Sequence, residues 1–354
     1  MRTILLASLA LLPVQTMAAD DSSSTSVLAA AVDTREHGAP LQPDAILRTP
    51  IVLNGGVRVR SGLIYAAPIG YRPLTLDLYT PSQKAGVGPR PLLVYVHGGA
   101  WIMGNPREAA LYADWPATLS QMAGHGYAVA SISYRLAREA PFPVALQDVK
   151  SAIRYLRAHA SDYGIDPAKV GIWGDSAGGH LAAMAGLTCG VAAFEPVVEA
   201  PRKPQTATVS PPPPLPSDCA QATVGWYGIY DFLDEGPVKR PPPPADDPTR
   251  LFLGCRDAPC TEGVKRVVSP ITYVDGRDPP MLLIHGDKDM AVPAKQSEIL
   301  YARLRSSGVP ADIAVIPGVG HGWYGATSAD SRAASRTAIR LTLDFFDRHL
   351  ATRP

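Results

Sequence analysis

Gly174-Asp175-Ser176-Ala177-Gly178 follows the run Val-Gly-Ile-Trp at residues 170–173 and leads into a helix-compatible stretch at residues 177–187. A G-x-S-x-G pentapeptide between a buried strand and a helix makes a tight turn that leaves the serine hydroxyl exposed. Small residues on both sides are needed so that no neighbouring side chain obstructs it. A serine that merely caps a helix is the bland alternative, and the preceding strand-like run weighs against it.

Working outward, residues 91–97, 127–134 and 280–285 are further continuous apolar runs of the kind found in central parallel strands buried on both faces. Helical patterns separate them at residues 112–124, 143–163, 294–307 and 329–350, and in the second of these Val144, Val149, Ile153 and Leu156 fall near one face. Before them, residues 51–59, 61–65 and 74–79 alternate and carry glycines between them, which predicts an antiparallel opening to the sheet. Strands alternating with helices give an α/β chain with a central, mostly parallel sheet flanked by helices.

The rhythm breaks at about residues 189–267. Proline makes up 36 of the 354 residues, about a tenth, and two tetraproline tracts lie here, at residues 211–214 and 241–244. Such tracts favour extended polyproline II and resist helix, so the region reads as an insertion. Its two excursions flank a returning strand within residues 222–233, and the tracts act as stiff spacers near the rim of the site. The alternation resumes afterwards, which favours one domain over two.

At the amino terminus, residues 1–19 combine Arg2, an apolar stretch and small residues before a polar run, the pattern of a cleavable signal peptide. Residues 20–47 read as an N-terminal arm and residues 48–354 as the main domain. Export places the protein in a periplasmic or extracellular compartment, where disulfides persist. Of the four cysteines, Cys255 and Cys260 enclose a short loop and are expected to pair, leaving Cys189 for Cys219. No Cys/His spacing matches a zinc site, so no metal or other cofactor is expected. With 33 basic and 32 acidic residues, no charge field draws the chain to nucleic acid or an anionic membrane. No lipidated cysteine near the cleavage region and no later spanning run predict a membrane anchor.

A serine hydroxyl is a weak nucleophile and requires a base and a group that orients the base. His321, in Gly-Val-Gly-His-Gly after an apolar run, is the candidate base. His97 and His285 end strands before glycine and read as packing residues, while His180 lies on the helix after Ser176 and points away from it. Of the two carboxylates in His285-Gly286-Asp287-Lys288-Asp289, Asp289 is preferred, being deeper in the turn. The glycine-rich strand end His97-Gly98-Gly99-Ala100-Trp101 offers backbone N–H groups, and Gly99, Ala100 and Ala177 are the candidate oxyanion donors. Trp101, Tyr134, Trp226, Tyr227 and Trp323 lie near predicted strand ends and are candidates for substrate-pocket walls, with at least half of them expected to be core residues instead.

HGGAW, GDSAGGHLAA, HGDKDMAVP and GHGW, in that order, resemble the α/β-hydrolase superfamily, close to bacterial serine esterases of the hormone-sensitive-lipase and feruloyl-esterase-like (BD-FAE-like) groups. The resemblance covers about residues 52–350. It implies a sheet of about eight strands and a Ser176, His321, Asp289 triad that hydrolyses carboxylic esters through an acyl-enzyme. The substrate implied is a small-molecule or polysaccharide-linked ester. The same triad serves amides, as in arylformamidases or peptidases, and a non-catalytic binding protein on this scaffold is the remaining alternative.

Overall fold

The structure is a computed structural model and describes residues 50–53, 55–82, 88–196, 215–234 and 246–350. The signal peptide, the N-terminal arm and both tetraproline tracts of the sequence reading lie outside the described residues.

The sheet has nine strands, one more than the resemblance implies: β1 Ile51–Val52, β2 Arg58–Ala66, β3 Leu74–Thr80, β4 Arg90–Val96, β5 Ala128–Ile132, β6 Ile165–Asp175, β7 Ala222–Trp226, β8 Met281–Gly286 and β9 Ala311–Ile316. Their spatial order is β1-β2-β3-β5-β4-β6-β7-β8-β9. Pairing is antiparallel from β1 through β3 to β5 and parallel from β5 onward. The antiparallel opening divides differently from the sequence expectation. Gly55 and Gly56, at φ 84° and 79°, turn the chain before β2, whereas Gly62 (φ 69°) sits in a bulge inside one continuous strand. The expected strand at residues 222–233 ends at Trp226, because Tyr227 already has φ 36°.

The helices are α1 Trp115–Gly124, α2 Val144–Ala158, α3 Ala160–Tyr163, α4 Ala177–Leu187, α5 Pro248–Leu253, α6 Glu262–Val267, α7 Lys295–Ser306 and α8 Ser328–His349. The helix expected over residues 143–163 is broken at His159 (φ −106°, ψ 20°), whose Nδ1 turns back to Tyr155 O at 2.8 Å. Asp114 caps α1 by accepting from Ala117 N, and Thr327 and Asp330 form a reciprocal capping box on α8.

Alternation along β4 divides the core. Leu92, Val94 and Val96 join α2 and α4 on one face, while Leu93 and Tyr95 join α1 and α8 on the other. Gly171 admits α8 closely: a Cβ there would lie 2.6 Å from a ring carbon of Phe346. Beyond β7, Leu300 and Leu304 of α7 pack on Met281 and Leu283.

The chain runs from β4 to β5 on one side and then crosses to β6 on the other. This reversal opens a crevice at the carboxyl ends of β4 and β6, the place where open α/β sheets bind ligands.

Cys189 is joined to Cys219 and Cys255 to Cys260, with Cα separations of 4.9 and 5.2 Å, the pairing read from the sequence. Beside the first, fully buried Lys150 meets Asp218 at 2.6 Å and donates to Thr188 O at 2.7 Å, so the segment before Cys219 is anchored ionically as well as covalently. The Cys189–Cys219 link spans 30 residues. Replacing both cysteines by alanine is expected to lower the unfolding free energy of the protein by about 3–4 kcal/mol in urea denaturation, the loop-closure entropy of such a link.

Candidate active site

The turn after β6 places Ser176 at φ 52°, ψ −117°, a strained conformation for a residue with a side chain. Its neighbours show what enforces it. A Cβ on Gly178 would fall 2.0 Å from Val96 O, and one on Gly174 would fall 2.4 Å from the Gly178 backbone. The start of α4 is thereby pressed against the end of β4, and Ser176 N–H donates to Trp226 O at 2.9 Å to hold the turn from the other side.

His321 and Asp289 come from the neighbouring strand ends. β8 and β9 pair up to Gly286↔Ile316, so the loops after them rise side by side. His321 Nε2 lies 2.9 Å from Ser176 Oγ, and its Nδ1 lies 2.7 Å from Asp289 Oδ2. Asp287 is turned elsewhere and accepts from Gly318 N–H at 2.6 Å.

Asp289 is itself firmly held. Its Oδ1 accepts from the N–H groups of Ala291 and Val292 at 2.9 and 2.8 Å. Fully buried His285 sets Nε2 2.8 Å from Val292 O and 3.3 Å from Asp289 Oδ2, while its Nδ1 lies 2.7 Å from Ser297 Oγ. Burial alone would raise the Asp289 pKa. The hydrogen bonds from His285 and His321, the attraction of His321 and the Val292 N–H outweigh it and hold the carboxyl below the ordinary carboxylate range. Asp289 therefore contributes stability above an unfolded pKa of about 4, lost as pH falls through the lower folded value.

The loop after β4 lies beside the serine, since Val96 pairs with Gly174. Gly98 N–H is committed to Asp175 Oδ1 at 2.8 Å, and the same oxygen accepts from Tyr95 OH at 2.5 Å. Gly99 (φ 108°) must be glycine, because a Cβ there would meet Met103 O at 2.2 Å. The N–H groups of Gly99, Ala100 and Ala177 donate to no acceptor among the described residues. Three uncommitted donors thus lie in the turn that carries Ser176 and in the loop that leaves the neighbouring strand, an arrangement suited to a developing oxyanion.

The remaining strand-end and helix histidines are structural. His97 stacks on Tyr134 at 4.3 Å and is pushed down to about 4 by burial. His180 accepts from Trp101 Nε1 at 3.3 Å and donates to Val268 O at 2.8 Å; burial lowers it to about 4 as well, so it stays neutral.

The aromatic residues proposed from sequence as pocket walls are core residues instead. Trp101 stacks on Phe252 with 4.4 Å between centroids, and Tyr134 donates its hydroxyl to His97 O beneath the glycine loop. Trp226 donates to Thr342 on α8, and Trp323 and Tyr227 pack on each other at 4.6 Å. All five are buried. Tyr227 does pack against His321, with its ring 4.8 Å from that of His321.

The sequence reading missed the apolar side chains that are open near the site. Met103, Met290 and Tyr324 are 60, 85 and 62% exposed. They lie three residues beyond Ala100, one beyond Asp289 and three beyond His321, and that adjacency to each motif is the signal by which they are found. Among the described residues, no group of three or more His, Cys, Asp or Glu side chains is placed to hold a metal ion.

Asp175 gives a test of the glycine loop. Burial, only partly offset by Tyr95 and Gly98, raises its pKa, so the folded state takes up this proton more readily than the unfolded chain. Its contribution to stability accordingly falls as pH rises above about 4. Asp175→Asn keeps an oxygen for both donors. It is expected to leave kcat within about threefold and to gain stability relative to the parent as pH rises. Asp175→Ala frees Gly98 and is expected to lower kcat about 10- to 100-fold on a 4-nitrophenyl ester, the scale of a misplaced oxyanion donor.

The chain matches the family described as BD-FAE over residues 76–304, and residues 256–353 match the prolyl oligopeptidase family. Esterase LipQ of Mycobacterium tuberculosis is 30% identical over 286 residues, covering 80% of this chain and 62% of LipQ. Esterase LipC of the same organism is 35% identical over 236 residues, covering 66% of this chain and 53% of LipC. The chain therefore spans roughly half to three-fifths of the length of these curated relatives. Among solved structures, a truncated carbohydrate esterase from gut microbiota superimposes with a TM-score of 0.65 at 30% identity, over 83% of this chain and 96% of that one. A propionate-bound esterase from Thermogutta terrifontis gives 0.61 at 26% identity, over 82 and 95%. With its nine-stranded sheet, its reversal at β4 and β6 and the match across residues 76–304, the chain has the α/β-hydrolase fold and belongs to the BD-FAE family.

Proposed function

We propose that the protein is an exported serine hydrolase of carboxylic esters that works through an acyl-enzyme. The observation that carries this reading is His321 bridging Ser176 and Asp289 at 2.9 and 2.7 Å. His321 Nε2 takes the Ser176 proton as Oγ attacks the ester carbonyl. The tetrahedral oxyanion forms against the N–H groups of Gly99, Ala100 and Ala177, each donor contributing roughly 2.7–4 kcal/mol at the transition state. His321 returns the proton to the departing alcohol, and Ser176 is left acylated. Water, deprotonated by the same imidazole, then releases the acid. Asp289 keeps Nδ1 protonated and stabilises the imidazolium.

Substrates of this reading are small or carbohydrate-linked esters, in line with the names of LipQ and of the gut carbohydrate esterase. Met103, Met290 and Tyr324 offer apolar contact to the acyl or alcohol group. Two disulfides favour a periplasmic or extracellular location, where such bonds persist. No helix among the described residues is long and apolar enough to cross a membrane. A second reading, hydrolysis of amides, is favoured by the prolyl oligopeptidase match, which spans the segments holding Asp289 and His321.

Ser176→Ala is expected to lower kcat on 4-nitrophenyl acetate by on the order of 10^6-fold and to abolish fluorophosphonate labelling. Parent-level turnover in that variant would end the proposed mechanism. The corresponding 4-nitroanilide separates the two readings: esterase action predicts much slower amide turnover, and comparable rates would favour the amide reading.

A further inference from the structure

The described residues form an open groove of about 940 Å3 that none of the triad or oxyanion residues lines. It lies between α1 and α8 and is of a size ordinary for ligand sites, roughly 300–1,000 Å3. Thr118, Gln121 and His125 form the α1 wall, and Tyr324, three residues beyond His321, forms part of the lining at the active-site end. The floor is tied across, since Tyr112 OH donates to Ser335 O at 2.8 Å. Proximity to the site is also direct: a Cβ on Gly322 would lie 3.5 Å from Ala110, whose neighbours Leu111 and Tyr112 line the groove.

Charge is distributed unevenly along the α8 wall. Asp344 is paired with Arg340 at 3.1 Å, and Asp347 accepts from Tyr127 OH, so both acids of the lining are engaged. Arg332 and Arg336 are exposed, lie one helical turn apart and have no ion-pair partner among the described residues. They occupy the half of α8 that follows Thr327 and is nearer Tyr324. Two uncompensated guanidiniums at one end of a walled groove suit a planar carboxylate, which such groups bind in bidentate fashion. The opposite wall supplies an imidazole, an amide and a hydroxyl for neutral hydroxyl groups, and the Tyr112 and Tyr324 rings offer faces for C–H contact. Two cations, against a net charge of only +1, do not make the long basic track that a nucleic acid requires.

We propose that this groove binds an acidic sugar residue of a carbohydrate substrate, away from the ester-bearing residue, with Arg332 and Arg336 holding its carboxylate. The proposal rests on the ester-hydrolase reading. It adds a binding site remote from the reacting atoms and assigns the flanking charge of the substrate.

The test compares the parent mature protein with Arg332→Gln/Arg336→Gln on three substrates: 4-nitrophenyl acetate, acetylated xylan without uronic acid, and acetylated xylan carrying glucuronic acid at matched acetyl content. The expected result is a rise in KM of about tenfold on the acidic polymer alone, the loss of a charge-assisted contact, with kcat unchanged. Constants on the neutral polymer and on 4-nitrophenyl acetate stay at parent values, and high salt removes the parent's preference for the acidic polymer. Equal kinetics of variant and parent on the acidic polymer, or equal losses on both polymers, would overturn the proposal. So would a parent that hydrolyses 4-nitrophenyl acetate but shows no preference between the polymers, an outcome that leaves the ester-hydrolase reading standing. A parent inactive on all three esters would refute that reading first. In that case calorimetric titration with a glucuronic-acid-bearing xylo-oligosaccharide decides the groove independently: Arg-dependent binding supports it, and no binding overturns it.

Discussion

Gly178 comes so near to β4 that even a methyl group on its Cα would collide with the Val96 carbonyl. This single close approach sets the geometry on which the site depends. It pulls α4 onto the sheet, forces Ser176 into a backbone conformation that side-chain-bearing residues avoid, and places Ala177 N–H beside the loop that leaves β4. The strain, of order 1–3 kcal/mol for such a residue, is offset by a core that packs α4 along its whole length. The proposed nucleophile then needs a base at one defined position. The parallel register of β8 and β9 brings the Asp289 and His321 loops there together.

Around the serine, buried carboxylates divide into two kinds. Asp289 is surrounded by donors that stabilise its charge, while Asp175 gains protons through burial and serves as a hydrogen-bond post for Gly98 and Tyr95. One carboxylate holds His321 and the other holds the Gly98 loop. His285 and Ser297 extend the first group inward, so His321 is oriented through a chain of buried contacts rather than by one acid alone.

The parts legible in the sequence were those in which chemistry dictates backbone geometry. Gly174, Gly178 and Gly99 are required by contacts a Cβ would destroy, and each left a glycine where a strand ends. The parallel strands were legible because burial on both faces leaves no polar alternation to obscure them. What failed depended on the third dimension. Trp226 and Trp323 stand at strand ends as pocket residues would, and only the path of α8 over them decides that they are core. Nor does the spacing of His285 and Asp289 reveal that the turn folds back to bring the two side chains within 3.3 Å. The paired arginines of α8 look like an ordinary solvated helix face until α1 is seen to wall them into a groove.

The central claim is that this strained serine carries the acyl group between the two half-reactions. Acid-quenching the protein during turnover of a slowly hydrolysed aryl ester, followed by mass analysis of its peptides, tests it most directly. The expected result is one acyl group per chain on the peptide containing Ser176, appearing as fast as the first equivalent of phenol is released. Steady turnover with phenol released linearly from the start, no acyl group on that peptide, and the same outcome for a series of poorer acyl donors would contradict it.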